Sequence, residues 1–157
     1  MSIKQLAMRL VYGHKASSEQ YVSCSEARGC SVGQHVHLYT PWSIRIDTQR
    51  PWMIEIGDNV HITADCSILQ HDYSWAVIQR LTGEVLGSCG TVHIGNNVFI
   101  GQKSLILKGA EIGDNTIVGA GRRGDRPFGG ERCICRRYRQ RKSLPWKHIS
   151  INAATFN

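Results

Sequence analysis

One histidine stands where a regular pattern of this chain fails. His71 follows Ile68-Leu69-Gln70 and opens the stretch HDYSWAVIQRLTGEVLGSCG, from which the spacing found on either side is absent. An imidazole with a pKa near ~6.5 accepts a proton from a hydroxyl at neutral pH, so His71 is suited to general-base chemistry. Such a base must be held in one tautomer by a second group. Asp47 and Glu84 are the candidates for that task, whereas Asp72 is too close in sequence to reach round to the ring. The ordinary alternative is that a lone histidine is a polar loop residue, and the side chains alone leave both readings open.

The elements that must position His71 are announced by a period of six. In VHIGNNVFIGQKSLILKGAEIGDNTIVGAG, residues 92–121, Ile94, Ile100, Ile106, Ile112 and Val118 follow one another at intervals of six, and Val98, Ser104, Ala110 and Thr116 stand four places after the first four. Neither a helix, with a period near ~3.6, nor a strand, with a period of two, produces this spacing, so it predicts a repeat architecture of hexapeptides. The triplets Gly57-Asp58-Asn59, Gly95-Asn96-Asn97 and Gly113-Asp114-Asn115 supply residues that tolerate positive φ and turn the chain between short strands, three strands to a coil. One coil cannot bury the aliphatic ladder alone, so its neighbours must stabilise it.

Carried along the chain, this spacing sets the organisation. Residues 1–29 read as an N-terminal helix and an irregular cap, with Ile3, Leu6, Ala7, Leu10 and Val11 on one face to cap the array and a loop or an irregular first coil from His14 to Gly29. Residues 30–121 form the repeat body. Within it the phase is loose at Trp42, breaks at IRIDTQRPWMI where Pro41 and Pro51 oppose strand pairing, returns at Ile56, Ile62 and Ile68, and is lost until Val92. The inserted loop, about residues 70–91, is expected to protrude on the binding face.

The net charge of +7 is not spread evenly: residues 1–121 hold nine Lys or Arg against ten Asp or Glu, and residues 122–157 hold ten against two. A neutral body argues against a nucleic-acid surface, and residues 122–157 stand apart as an atypical basic tail. No apolar run approaches membrane-spanning length, and MSIKQLAMRLVYGHK lacks the apolar core of a secretory signal, so cytoplasmic residence is the expectation. The six cysteines lack paired metal-ligand spacing, which leads us to expect neither disulfides nor a metal.

These residues resemble the hexapeptide-repeat acyltransferases, and DTQRPWMIEIGDNVHIT, HDYSW, GEVLGS and IGNNVFIG look most like the bacterial O-acetyltransferases of sugars and surface polysaccharides. The resemblance implies an all-β, left-handed parallel β-helix that assembles as a homotrimer, with acetyl-CoA as co-substrate and a sugar or polysaccharide precursor as acceptor. It also implies that His71 is the catalytic base, activating a sugar hydroxyl for direct attack on the thioester. Phe99, Gly101, Lys103, Gly119 and Ala120 are then the positions along the acetyl-CoA groove, with Lys103 and Lys108 available to phosphates. Trp52, Tyr73 and Trp75 are acceptor platforms. A metal-dependent β-helix hydratase would need converging histidines, and none follows His71 at short spacing.

The pattern departs at residue 122. Arg122 falls on a small site and Gly124 on an aliphatic one, where the family continues S-V-V-T-x-D-[IV]-P and ends near V-x-A-G-[NV]-P-A-[KR]-V-I. An unpaired Arg in a buried corner costs several kcal/mol, on the order of 3–5, so the coil is not expected to continue unchanged. Arginine codons read one base later become GNN codons, and RCICRRY then permits V-V-Y-A-G-V, close to the family ending. The tail therefore reads as a frameshift product near codon 121, with disorder as the expected result, ahead of a nucleic-acid or membrane-surface arm and of a Cys133-x-Cys135 metal site, which lacks a second ligand pair. The competing expectation is a trimeric β-helix whose catalysis is impaired or lost.

Overall fold

The computed structural model describes residues 3–85, 87–121, 123–124, 127–128 and 135–137, the last three pieces as backbone. Its body is a parallel β-helix in which each coil gives one short strand to each of three sheets. The first coil holds β1 (Ser31–Val32), β2 (His37–Leu38) and β3 (Arg45–Ile46), and the second β4 (Ile54–Ile56), β5 (Val60–Ile62) and β6 (Ser67–Ile68). The third holds β7 (Val92–Ile94), β8 (Val98–Ile100) and β9 (Leu105–Ile106), and the fourth β10 (Glu111–Ile112), β11 (Thr116–Val118) and β12 (Arg123–Gly124). β1-β4-β7-β10 form one sheet, β2-β5-β8-β11 the next and β3-β6-β9-β12 the third, all neighbours parallel.

The six-residue rule is visible as the core. Ile56, Ile62, Ile68, Ile94, Ile100, Ile106, Ile112 and Val118 are buried, and Val60, Cys66, Val98, Ser104, Ala110 and Thr116 are buried at the small positions. Removing each such isoleucine from water stabilises the coil stack by roughly 1.5–3 kcal/mol. A polar residue in the same place needs a partner, and Ser104 has one: its Oγ donates to the Gly101 carbonyl at 2.6 Å.

The turns carry a second ladder. Asn59, Asn97 and Asn115 adopt φ of 54°, 55° and 54°. Their amides run through the corner: Asn59 Nδ2 donates to Asn97 Oδ1 at 3.0 Å, and Asn97 Nδ2 to Asn115 Oδ1 at 2.7 Å. Beside them, each turn's acidic or amide oxygen accepts a backbone N–H of the coil before it. Asp58 Oδ1 takes Gln34 at 2.7 Å, Asn96 Oδ1 takes Asp58 at 2.8 Å, and Asp114 Oδ1 takes Asn96 at 2.6 Å. The partners are separated by 24, 38 and 18 residues in turn, so the last pair shows the undisturbed coil and the middle one includes the inserted loop. The first coil is longer because Pro41–Ser43 and Pro51–Met53 form 3-10 turns, the physical cause of the broken phase there.

Helices make the fold more mixed than the all-β expectation. α1 (Ile3–Tyr12) forms, but Ile3, Leu6, Leu10 and Val11 are exposed and the helix buries no residue, so it does not cap the array. That task falls to α2 (Ser18–Ala27), in the segment read as a loop. Capping the open edge of a β-helix requires partners for its backbone groups, which apolar side chains cannot supply. α2 supplies them: Leu38 N–H donates to Ser18 Oγ at 2.8 Å, and the Tyr21 hydroxyl donates to the Ile44 carbonyl at 3.3 Å and accepts Ile46 N–H at 2.9 Å. The inserted loop also contains a helix, α3 (Trp75–Thr82), closed by Gly83 at φ 78°.

Backbone pairing passes Gly121. Arg123–Gly124 pairs with Leu105–Ile106, β13 (Pro127–Phe128) pairs parallel with β10, and β14 (Cys135–Arg137) pairs antiparallel with β11. Backbone donors and acceptors on an open strand edge pair without regard to side-chain fit, so the repeat spacing of side chains and the extent of strand pairing end at different residues. The remaining residues of 122–157, on which the readings of a disordered and frameshifted tail rest, lie outside those described.

Candidate active site

His71 is placed by the end of β6 and by a short ribbon at the root of the loop. The chain leaves the coil through Leu69-Gln70-His71-Asp72 and returns through Ser88-Cys89-Gly90. Asp72 N–H donates to the Ser88 carbonyl at 3.0 Å and Gly90 N–H to the Gln70 carbonyl at 2.9 Å, with His71 and Cys89 facing each other as an antiparallel bridge. Gly90 lies close to the next coil at the return, where a Cβ would press on Gly109 N at 3.3 Å and touch Lys108 Cβ at 3.4 Å.

Asp47 reaches the same corner from the preceding coil. β3 lies beside β6, with Ile46 opposite Ile68, and Asp47 N–H extends the pairing to the Ile68 carbonyl at 3.0 Å. This sets the carboxylate of Asp47 against the imidazole, where Oδ2 accepts from His71 Nδ1. The same carboxylate accepts Gln49 N–H at 3.1 Å and Gln70 N–H at 3.3 Å, although its side chain is only 6% exposed. An ionised carboxylate accepts only, so the hydrogen of this bond then lies on Nδ1, and in the neutral imidazole Nε2 keeps its lone pair. The His71 side chain is 15% exposed, sheltered but not closed off.

Of the other residues read from the sequence, Tyr73 is brought to the site: its ring meets that of His71 edge-on at 5.1 Å and 87°, and its hydroxyl accepts from Gln49 Nε2 at 2.6 Å. Trp52 is 70% exposed on its 3-10 turn and Trp75 is half-buried at the start of α3; among the described residues the ring packed on His71 is that of Tyr73. Glu84 is exposed beyond α3, with its N–H on Thr82 Oγ1 at 3.3 Å, and the carboxylate that meets His71 is that of Asp47. Gln49, Gln70 and Ser88 take part without having been singled out. A signal for Gln49 was present in its place two residues after Asp47, the spacing of an Asx turn.

Gly101, Gly119 and Ala120 come together at one corner of the third and fourth coils, with Phe99 half-exposed on β8 and Lys103 exposed in the turn at φ 59°. Here glycine serves stacking: a Cβ on Gly101 would stand 2.5 Å from Ala120 N and 2.8 Å from the Gly119 carbonyl carbon. That space is filled by protein backbone, so it is Ala120 and Lys103, both exposed, that are open to a ligand at this corner. Lys108 is engaged by Asp72 at 2.6 Å. A cavity lined by Arg9, Gly13, His14, Glu19, Gln20 and Ser23 lies beside α1 and α2 and holds none of these residues. Among the described residues no group of three or more His, Cys, Asp or Glu is placed to hold a metal ion, and no helix is long and apolar enough to cross a membrane.

Comparison with known proteins bears on this arrangement. Residues 91–121 match the family "Bacterial transferase hexapeptide (six repeats)". The chain is 32% identical over 95 residues to the galactoside O-acetyltransferase of Escherichia coli K12, covering 58% of this chain and 45% of the relative. It is 34% identical over 97 residues to a putative acetyltransferase of Staphylococcus aureus strain COL, covering 50% of this chain and 49% of that protein. The chain thus spans about half the length of these curated relatives. Among solved structures, a maltose O-acetyltransferase from Clostridium difficile 630 shares the fold with a TM-score of 0.50 at 21% identity, over 80% of this chain and 75% of that one.

Proposed function

We propose that this chain, whose residues 91–121 match the bacterial transferase hexapeptide family, is a CoA-dependent O-acetyltransferase that moves an acetyl group to a sugar hydroxyl. The observation that carries the reading is the Asp47–His71 pair at the root of the loop: a buried carboxylate fixes Nδ1–H and leaves Nε2 as a base at a sheltered but reachable position. The name of one relative, a galactoside O-acetyltransferase, supports acetyl transfer and a sugar acceptor.

In this mechanism Nε2 takes the proton of the acceptor hydroxyl as its oxygen attacks the thioester carbonyl carbon. Backbone N–H groups of a neighbouring coil stabilise the tetrahedral oxyanion. Collapse breaks the carbon–sulfur bond, and the proton passes from Nε2 to the leaving thiolate, so that CoA and the acetylated sugar depart with the base regenerated. Acetyl-CoA lies along the corner formed by Phe99, Lys103, Gly119 and Ala120, and Tyr73, Trp52 and Trp75 face the acceptor. Left-handed winding of the coils, a homotrimer whose subunit grooves complete the cofactor wall, an acceptor belonging to surface polysaccharide or its precursor, and a cytoplasmic setting are parts of the same proposal, carried by the resemblance.

The test is release of free thiol from acetyl-CoA with galactosides, maltose and glucose offered in turn. Thiol release that rises at least tenfold on adding one of these acceptors supports the reading. A rate no faster than hydrolysis across the set, together with no heat of CoA binding in titration calorimetry, sinks it.

A further inference from the structure

The ribbon that carries His71 has two cross-strand backbone bonds, and a pair of strands this short does not hold itself closed. What closes it lies on the side away from the imidazole. Asp72, the residue after His71, sends one carboxylate oxygen to Lys108 Nζ at 2.6 Å, and the other accepts from Ser88 Oγ at 2.7 Å and Ser74 Oγ at 2.6 Å. Lys108 Nζ donates to Ser88 Oγ as well. One ammonium thus grips both strands of the ribbon, through Asp72 on the outgoing strand and Ser88 on the returning one.

Lys108 stands on the rigid part of the molecule. It lies at the corner after β9, whose neighbour is β6, and the next residue, Gly109, donates its N–H to the Thr91 carbonyl at 2.8 Å. An isolated ion pair at the surface contributes little. This one shares its charge with two hydroxyls and a backbone N–H, Ser74 to Asp72 at 2.9 Å, and the Asp72 carboxyl is held well below the usual carboxylate range first of all by Lys108.

We propose that Asp72, Ser88 and Lys108 form a clasp that fixes the His71 ribbon to the coil, and that Lys108 is a positioning residue for the imidazole rather than a contact for a cofactor phosphate. This rests on the reading of His71 as the base. The clasp touches no reacting atom. It acts by keeping Nε2 within the narrow range of positions from which a proton is taken in step with attack, a range in which a shift of about 1 Å lowers the rate by up to roughly 10²-fold.

The experiment uses the full chain with Lys108→Met, Asp72→Asn, the double variant and Lys108→Arg, read by amide hydrogen exchange of segments 70–74 and 88–90 and by steady-state acetyl transfer. Lys108→Met and Asp72→Asn are expected to speed exchange in both segments at least tenfold and to lower kcat about tenfold with KM for acetyl-CoA unchanged. The double variant falls no further than either single one, and Lys108→Arg returns both readouts to within about twofold of the parent. Unchanged exchange in Lys108→Met overturns the clasp. So does a raised KM for acetyl-CoA at constant kcat, which assigns Lys108 to phosphate. If the parent itself transfers no acetyl group, the functional reading fails, and the exchange data alone decide the clasp.

Discussion

Asp47 Oδ2 accepts from His71 Nδ1 across 24 residues of sequence, because the two occupy corresponding corners of adjacent coils. The pairing draws on the register of the coils and on the ribbon at the root of the loop. Once Ile46 sits beside Ile68, the next step along each strand places a carboxylate beside the outgoing ribbon, and the tautomer of the base is fixed by the register of the helix.

The two orienting candidates are separated by one comparison. Asp47→Asn removes the charge that holds Nδ1–H and is expected to lower kcat roughly 10²-fold or more, while Glu84→Gln stays within about twofold of the parent. Steady-state acetyl transfer measures both, with circular dichroism to confirm the fold. Equal losses in the two variants would contradict the geometry.

Tyr21 joins α2 to the first coil, and its hydroxyl satisfies two backbone groups. Tyr21→Phe leaves Ile46 N–H without this partner, while the Ile44 carbonyl keeps Lys15 Nζ at 2.7 Å, and is expected to lower stability by about 1–3 kcal/mol in urea unfolding. Burial pushes the Tyr21 hydroxyl above its ordinary value of 10.0. A group whose folded pKa is raised stabilises the fold fully below its unfolded pKa and loses that contribution as pH rises through the folded one. Stability of the parent should therefore fall above about pH 10 more steeply than that of Tyr21→Phe. Parallel alkaline profiles would mean that Tyr21 is not the group responsible.

Asn97 is the middle rung of the corner ladder and sits at positive φ. Asn97→Ala loses both amide bonds and strains the left-handed backbone, for an expected loss of about 1–3 kcal/mol. Asn97→Gly keeps the backbone free and loses less. Urea midpoints for the pair give the order, and an alanine variant as stable as the glycine one would show that the turn imposes no left-handed requirement.

Much of the body was legible because a β-helix writes its geometry in the sequence. Each inward aliphatic residue and each small corner residue recurs at six, and Gly-Asp-Asn names the turn; the buried series from Ile56 to Val118 follows that spacing. The helices were harder for different reasons. In α2 the side chains that matter are polar and serve an edge, so hydrophobic periodicity is faint, although Ser17 and Gln20, whose N–H the Ser17 hydroxyl accepts, carried the spacing of a capping box. In α3 the apolar residues Val77, Ile78 and Leu81 were visible, but they lie exposed and read as an insertion rather than a packed helix. The face of α1 was read correctly as apolar and wrongly as a cap, since apolar periodicity says nothing about which surface it meets.

The candidate site was legible in unequal parts. His71 is marked by the loss of phase, and Asp47 by its place after Ile46, but two acidic candidates remained because register across the broken coil cannot be counted from the period. Gly101 was read as a position along the acetyl-CoA groove, and the space that a Cβ would need there is taken by Ala120 of the next coil. Gly101→Ala is accordingly expected to destabilise by about 1–3 kcal/mol through overpacking, measured by urea unfolding in the absence of CoA. A loss appearing only in CoA affinity would restore the ligand reading.

The central claim is that the His71 Nε2 acts as the base of acetyl transfer, and kcat/KM of His71→Ala against the parent, with the best acceptor and at pH near 7, tests it most directly. A fall of about 10²- to 10⁴-fold in a variant that keeps the parent's circular dichroism is the predicted result. A variant that transfers acetyl groups as fast as the parent would contradict it.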